Sequence, residues 1–265
     1  DPQDDVILGG AVVVDVTGAL TTEATGEIDA QGNVLLRALG ASSDVTLGAD
    51  LSSAGGHTTV DAGRSVLQNA DITAGGAGAT VDVTATLLIS MQDGTVTSSN
   101  DGNIRYNAAS GVNPTAGNVL TLSSIQAGTA SVSLRAGSIV DGGDTHPDVI
   151  GANLRLNATV GIGDSDDALD TDVGTVSARA AAGGIFLDDS TSLTIGNVTD
   201  VTVNRVDAEA AVSDVTDLTQ EDVVTISDGS VVISAQTNLS AAEGPGVSAA
   251  VTAVLAGYVR LQARD

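Results

Sequence analysis

Hydrophobic and polar positions alternate along most of this 265-residue chain, in short runs broken by glycine that recur at intervals of about 23 residues. The phrase is clearest in Gly32-Asn33-Val34-Leu35-Leu36-Arg37-Ala38, Gly56-His57-Thr58-Thr59-Val60-Asp61-Ala62 and Gly102-Asn103-Ile104-Arg105-Tyr106-Asn107-Ala108. Looser copies run from Gly128 to Ala136, Gly151 to Ala158, Gly174 to Ala180, Gly229 to Ala235 and Gly257 to Ala263. Period-two alternation predicts strands with one face turned to a core. A fixed period of this size predicts a stack of units, none of which can bury its apolar face without its neighbours.

The segment from Gly56 to Gly75 traces one predicted unit. Thr58, Val60 and Ala62 point to one side of a strand and Thr59 and Asp61 to the other; Gly63-Arg64 then turns the chain. Val66-Leu67 begins a second strand, and Asn69 to Ala74 supplies a third before Gly75-Gly76 leads into the next unit. Related second-half phrases are Asp44 to Leu51, Ser138 to Asp141 and Ser192 to Val198.

Composition selects the kind of stack. Phe186, Tyr106 and Tyr258 are the only aromatic residues, so the core is built from Val, Leu, Ile and Ala in thin layers. Valine, isoleucine and threonine favour pleated strands, and 32 glycines punctuate the chain too often for long helices. The fold expected from the residues is all-β, a parallel β-helix of roughly eleven coils of about 23 residues, stacked about 4.8 Å apart into a rod about 50 Å long. Residues 1–265 form one domain, with residues 200–228 read as a lateral insertion or as irregular coils.

Gly117-Asn118-Val119-Leu120-Thr121-Leu122, Gly183-Gly184-Ile185-Phe186-Leu187-Asp188 and Ser192-Leu193-Thr194-Ile195-Gly196-Asn197-Val198 resemble the repeat region of filamentous-haemagglutinin-like adhesins and other giant repetitive bacterial surface proteins. The similarity spans most of positions 30 to 265. It implies a right-handed parallel β-helix in an exported stalk, extracellular or at the bacterial cell surface, that mediates adhesion or surface structure. The chain departs from those adhesins in having no recognisable secretion domain and in its irregular repeat lengths.

Charge narrows the partners. Thirty-four acidic residues, 29 of them Asp, oppose nine arginines and no lysine, a net charge of −25. Aspartate suits turns and coil corners. Such a surface disfavours nucleic acid, which is bound by neutralising phosphates with basic side chains. It favours solubility, repulsion between rods or association with divalent cations. The absence of cysteine excludes a disulfide framework and a thiolate zinc site. The longest apolar stretches, Val6 to Val16 and Ala249 to Ala256, are too short for membrane insertion. Asp1-Pro2-Gln3-Asp4-Asp5 is unlike the start of a signal peptide, and the chain is read as a piece of a longer repetitive protein. The expected partners are neighbouring repeats of the same polypeptide, or further copies associating end to end, together with host or cell-surface glycans.

Two stretches break the rhythm. Between Gly161 and Thr171-Asp172, the five aspartates Asp164, Asp166, Asp167, Asp170 and Asp172 form the best metal-site candidate, since calcium prefers clustered oxygen ligands. Their order matches neither the EF-hand loop nor the calcium nonapeptide, so a solvated corner anchored by Leu169 is the competing expectation. No other cofactor is expected. From Asp200 to Asp228, acids are scattered among Val and Ala, and Ala208 to Val212 is read as one helical turn. A third irregular corner, Asp141 to Asp148, is read as a long turn.

Many parallel β-helices cleave acidic polysaccharides, which makes a carbohydrate-binding or carbohydrate-cleaving domain the alternative reading. The pairs Asp166/Asp167 and Asp188/Asp189 offer carboxylates, but neighbours in a strand point to opposite faces. His57 and His146 accompany no nucleophile motif and are read as solvated turn residues. Asn33, Asn103, Asn118 and Asn153, at strand starts, are expected to bond locally or between coils. The sequence therefore reads as a non-enzymatic structural or adhesive solenoid.

Overall fold

The computed structural model describes residues 6–143, 146–243 and 249–264. Three ladders of parallel strands wind around a common core, which makes the chain a parallel β-helix. Along one ladder, face A, the partners run from Val6 through Ile28, Leu51, Ile72, Thr97, Ile125, Val149, Thr171, Asp189 and Ala235 to Ala263, eleven rungs in unbroken register. Face B stacks Val12, Val34, Thr58, Val81, Ile104, Val132, Leu154, Val176 and Ile195. Face C stacks Leu20, Val45, Val66, Ile89, Leu120, Ile139, Ile162, Ile185, Val231 and Val259. Among the described residues no helix is long and apolar enough to cross a membrane.

The coil predicted from Gly56 has its three strands, Thr58–Ala62, Ser65–Gln68 and Ile72–Ala77, on faces B, C and A; the third begins at Ile72 and not at Asn69, and Gly75-Gly76, expected as a turn, lies within it at a bulge. Thr58, Val60 and Ala62 lie in the core beneath Val34, Leu36 and Ala38 of the preceding coil. Coil spacing requires the opening glycine in several copies of the phrase. A Cβ on Gly56 would lie 2.3 Å from the backbone nitrogen of Asn33, and one on Gly102 would lie 1.9 Å from the carbonyl oxygen of Ala79.

Polar side chains close the corners between coils. The Asp50 carboxylate accepts the N–H of Asp71 at 3.0 Å, Asp71 accepts that of Val96 at 2.8 Å, and Asp148 accepts that of Asp170 at 2.8 Å. Asp101 accepts both the N–H and the hydroxyl of Thr129, and these bonds hold its carboxyl below the usual range. Each acid caps an amide on the rung above, which a short aspartate reaches without leaving its own corner. This gives the excess of Asp over Glu a local physical cause.

A polar group built around Tyr106 lies inside the core. Tyr106 donates to Gln68 Oε1 at 2.7 Å, Gln68 Nε2 donates to Thr97 Oγ1 at 2.9 Å, and the two hydroxyls of Thr97 and Tyr106 are 2.6 Å apart. All three side chains are fully buried, and burial raises the Tyr106 pKa, so the phenol stays protonated and can donate. Tyr106→Phe leaves Gln68 and Thr97 short of a buried partner; chemical denaturation should show a loss of about 1–3 kcal/mol with the slope unchanged.

The spacing between rungs is interrupted once. Asp188 and Ser234 are hydrogen-bonded between successive rungs although 46 residues separate them in sequence. The additional residues leave the coil at Val198 and return at Gln220, where each residue's N–H donates to the other's carbonyl, at 2.9 and 3.0 Å.

Candidate functional site on the strapped face

Val201–Val206 and Val212–Asp217 mix valines with polar residues and pair antiparallel, Val201 opposite Asp217 and Val206 opposite Val212. The segment read as a helical turn, Ala208 to Val212, is instead the reversal of this hairpin and the start of its second strand. Asp207 determines that outcome: its Oδ1 accepts the N–H groups of Glu209 and Ala211 at 3.0 and 2.8 Å, and its own N–H donates to the carbonyl of Ala211. Ala210 adopts a left-handed φ of 60° to complete the turn.

The hairpin lies along the outside of face B as a strap. Its valines Val198, Val201, Val203 and Val206 are buried, and so are the outward-pointing residues Leu35, Thr59, Asp82, Arg105 and Ser133 of successive rungs. The free edge of its first strand is satisfied by side chains from the coils. Thr59 Oγ1 accepts the N–H of Val206 at 2.9 Å, Thr80 Oγ1 accepts that of Asn204 at 2.8 Å, and Asn103 Nδ2 donates to the carbonyl of Thr202 at 2.9 Å. Asn33 Nδ2 reaches the carbonyl of Ala210 at the tip, and Gln220 Nε2 donates to the carbonyl of Leu156 at the base. The strap therefore crosses six successive coils, about 24 Å at the usual rung spacing.

Beneath it lies a buried ion cluster. Asp82, with no exposed surface, receives Arg105 Nη1 at 3.0 Å and Arg205 Nε of the strap at 2.7 Å. Arg105, 6 % exposed, also donates from Nε to Asp217 of the strap at 3.0 Å, and Ser133 Oγ donates to the same Asp217 oxygen at 2.7 Å. Burial works against the charged guanidinium of Arg105, and Asp82 and Asp217 outweigh it, so its pKa is raised. Six of the nine arginines belong to this face: Arg37, Arg105, Arg135, Arg155 and Arg179 on the coils, and Arg205 on the strap.

The five aspartates read as a calcium loop are divided between two settings. Asp164 Oδ1 accepts the N–H groups of Asp166 and Asp167 at 2.8 and 2.9 Å, closing a turn on itself, with Leu169 buried below. Asp170 and Asp172 belong to the strand Leu169–Ala180 and point outward; the Asp172 carboxylate accepts the hydroxyl of Thr191 at 2.9 Å. Among the described residues no group of three or more acidic or histidine side chains converges as a metal-ligand set.

Asp188 and Asp189 take opposite sides of their strand. Asp188 faces outward to Ser234 and Arg264, whereas Asp189 is buried and accepts from Thr171, Val173 and Thr191. His57, read as a solvated turn residue, is a half-buried acceptor, its Nδ1 taking the N–H of Thr80 at 3.0 Å. Burial lowers its pKa. Asn33 and Asn103 cap the N–H groups of His57 and Ser131 on the following rungs, which is the inter-coil bonding expected of them. Within the corner 141–148, residues 144 and 145 lie outside the described residues.

Sequence reasoning missed the strap's docking. The available signal was an apolar residue, Leu35, at an outward strand position, together with arginine concentrated at outward positions of a chain dominated by acids. Comparison of the chain with protein-family models, with curated proteins and with solved structures finds no match.

Proposed function

We propose that the chain is a non-enzymatic surface solenoid, a stiff segment of a bacterial stalk or extracellular filament whose faces carry adhesion. The observation that supports this reading best is the uninterrupted ladder of eleven rungs on face A, which provides length and stiffness through main-chain hydrogen bonds. Leu255, Tyr258, Val259 and Leu261 are exposed around the final rung, a strand edge that a neighbouring repeat or a second copy would cover. The acidic surface keeps rods apart elsewhere. A polysaccharide-cleaving role lacks support from geometry: of the three aromatics, Tyr106 is inside the core and serves the Gln68–Thr97 group.

Electron microscopy and small-angle scattering of the purified chain test this reading. The expected particles are rods about 50 Å long, or filaments with an axial repeat of one subunit. Compact spheres, or release of shortened sugars from acidic polysaccharides, would falsify it.

A further inference from the structure

We propose that Arg135, Arg155 and Arg179, gathered around Asn157 beside the strap, bind the carboxylate of an acidic glycan in which charged sugars alternate with uncharged ones. This rests on the adhesive reading above and names the class of its partner.

The first observation concerns pairing. In a chain with 34 acids and nine arginines, Arg37, Arg64, Arg105, Arg205 and Arg264 each form an ion pair with an aspartate. Among the described residues Arg135, Arg155, Arg179 and Arg260 form no ion pair; Arg260 stands apart on the last strand and donates to Gln262, and the other three share face B. Arg135 donates to the carbonyls of Ala109 and Val112 at 2.8 and 3.1 Å, and Arg155 donates from Nε to that of Leu218 at 3.0 Å. These bonds fix the positions of two guanidiniums and neutralise neither.

The second observation is position. Arg135, Asn157 and Arg179 are register partners on three successive rungs of face B. Arg155 precedes Asn157 by two residues on the same strand and so projects from the same side. Asn157 thus has an arginine as register partner on the rung before it and on the rung after it, their backbones about 4.8 Å apart, and a third arginine two residues away on its own strand; the Arg135 guanidinium also donates to Asn107 Oδ1 of the preceding coil at 3.2 Å. The Asn157 amide has no hydrogen-bond partner among the described residues, and Arg179 is exposed. Asp217, the carboxylate whose charge bears on Arg135 and Arg155, is already bonded to Arg105 and Ser133. Burial lowers the pKa of Arg135 and Arg155, against the attraction of Asp217 and with a smaller contribution from the repulsion of Arg105.

The chemistry of the ligand follows from what surrounds the cluster. A guanidinium pairs best with a planar carboxylate through two parallel hydrogen bonds, and the Asn157 amide can both donate to and accept from a sugar hydroxyl. The net charge of −25 repels a densely charged polymer such as nucleic acid at every other face. A chain whose carboxylates are spaced by neutral sugars presents one anion to the cluster and little charge to the remaining surface.

Calorimetry of the full chain with hyaluronan oligosaccharides tests the site, with neutral dextran and sodium acetate as comparison ligands. Hyaluronan should bind and dextran should not. Arg179→Ala, which removes a side chain without partners, should weaken binding about tenfold or more; Arg155→Ala/Arg179→Ala should abolish it, and Arg260→Ala should leave it unchanged. No heat with hyaluronan at millimolar concentration, or equal affinity in Arg179→Ala, overturns the proposal. Acetate displacing the oligosaccharide at equal concentration also overturns it, since the site would then recognise a free anion alone. Rods seen by microscopy in a preparation that fails to bind would remove the glycan site and leave the solenoid reading in place.

Discussion

Asp82→Ala lowers the unfolding free energy by about 3–5 kcal/mol, the cost of leaving buried arginines without their counter-charge. Asp82 is fully buried and joins Arg105 of the coil to Arg205 of the strap, so its removal breaks two ion pairs at 3.0 and 2.7 Å together. The strap should loosen, and limited proteolysis should then cut at Ala208–Ala211, the exposed reversal between its strands. A second variant isolates the cause. Because Val198 and Gln220 are bonded to each other across the base, a short turn joining them excises the hairpin without opening the coil. In that background Asp82 and Arg105 face water, and Asp82→Ala should cost no more than about 1 kcal/mol. Equal losses in both backgrounds would show that Asp82 matters to the coil and not to the strap.

Leu134→Ala should cost about 2–5 kcal/mol by opening a cavity in mid-rod. Leu134 is fully buried, stacked between Tyr106 and Leu156 on adjacent rungs. A plain solenoid couples only neighbouring units, so such a defect divides it into halves that melt separately. Here the strap is bonded both to Asn33 and to Leu156, on either side of the defect. Calorimetry should therefore give one transition for Leu134→Ala with the strap present and two once the hairpin is excised. Two transitions with the strap in place would mean that its bonds do not transmit stability along the rod.

Much of the coil could be read from the chain. The phrase at Gly56 located three strands because alternation of core and surface is a local consequence of stacking, whereas Gly75-Gly76, read as a corner, continues the third strand through a bulge. The strap was less visible. Val201-Thr202-Val203 begins as any rung does, and nothing in it states that its partner is Val212–Asp217 running the other way. Asp207, which turns the chain, looks in sequence like one more surface acid. The aspartates from Asp164 to Asp172 are close in sequence, yet the first bonds its own loop while Asp170 and Asp172 belong to a strand. Arg135, Asn157 and Arg179 come together only through the register of three coils of unequal length.

The strap also sets a timetable. Asn33 completes its bond with Ala210, 177 residues later, and Asp82 meets Arg205 after 123. A chain emerging amino end first stacks its early coils with those polar groups still in water. Enclosing them must wait for the hairpin, so changes within it should hasten unfolding while leaving the rate at which the early coils stack untouched.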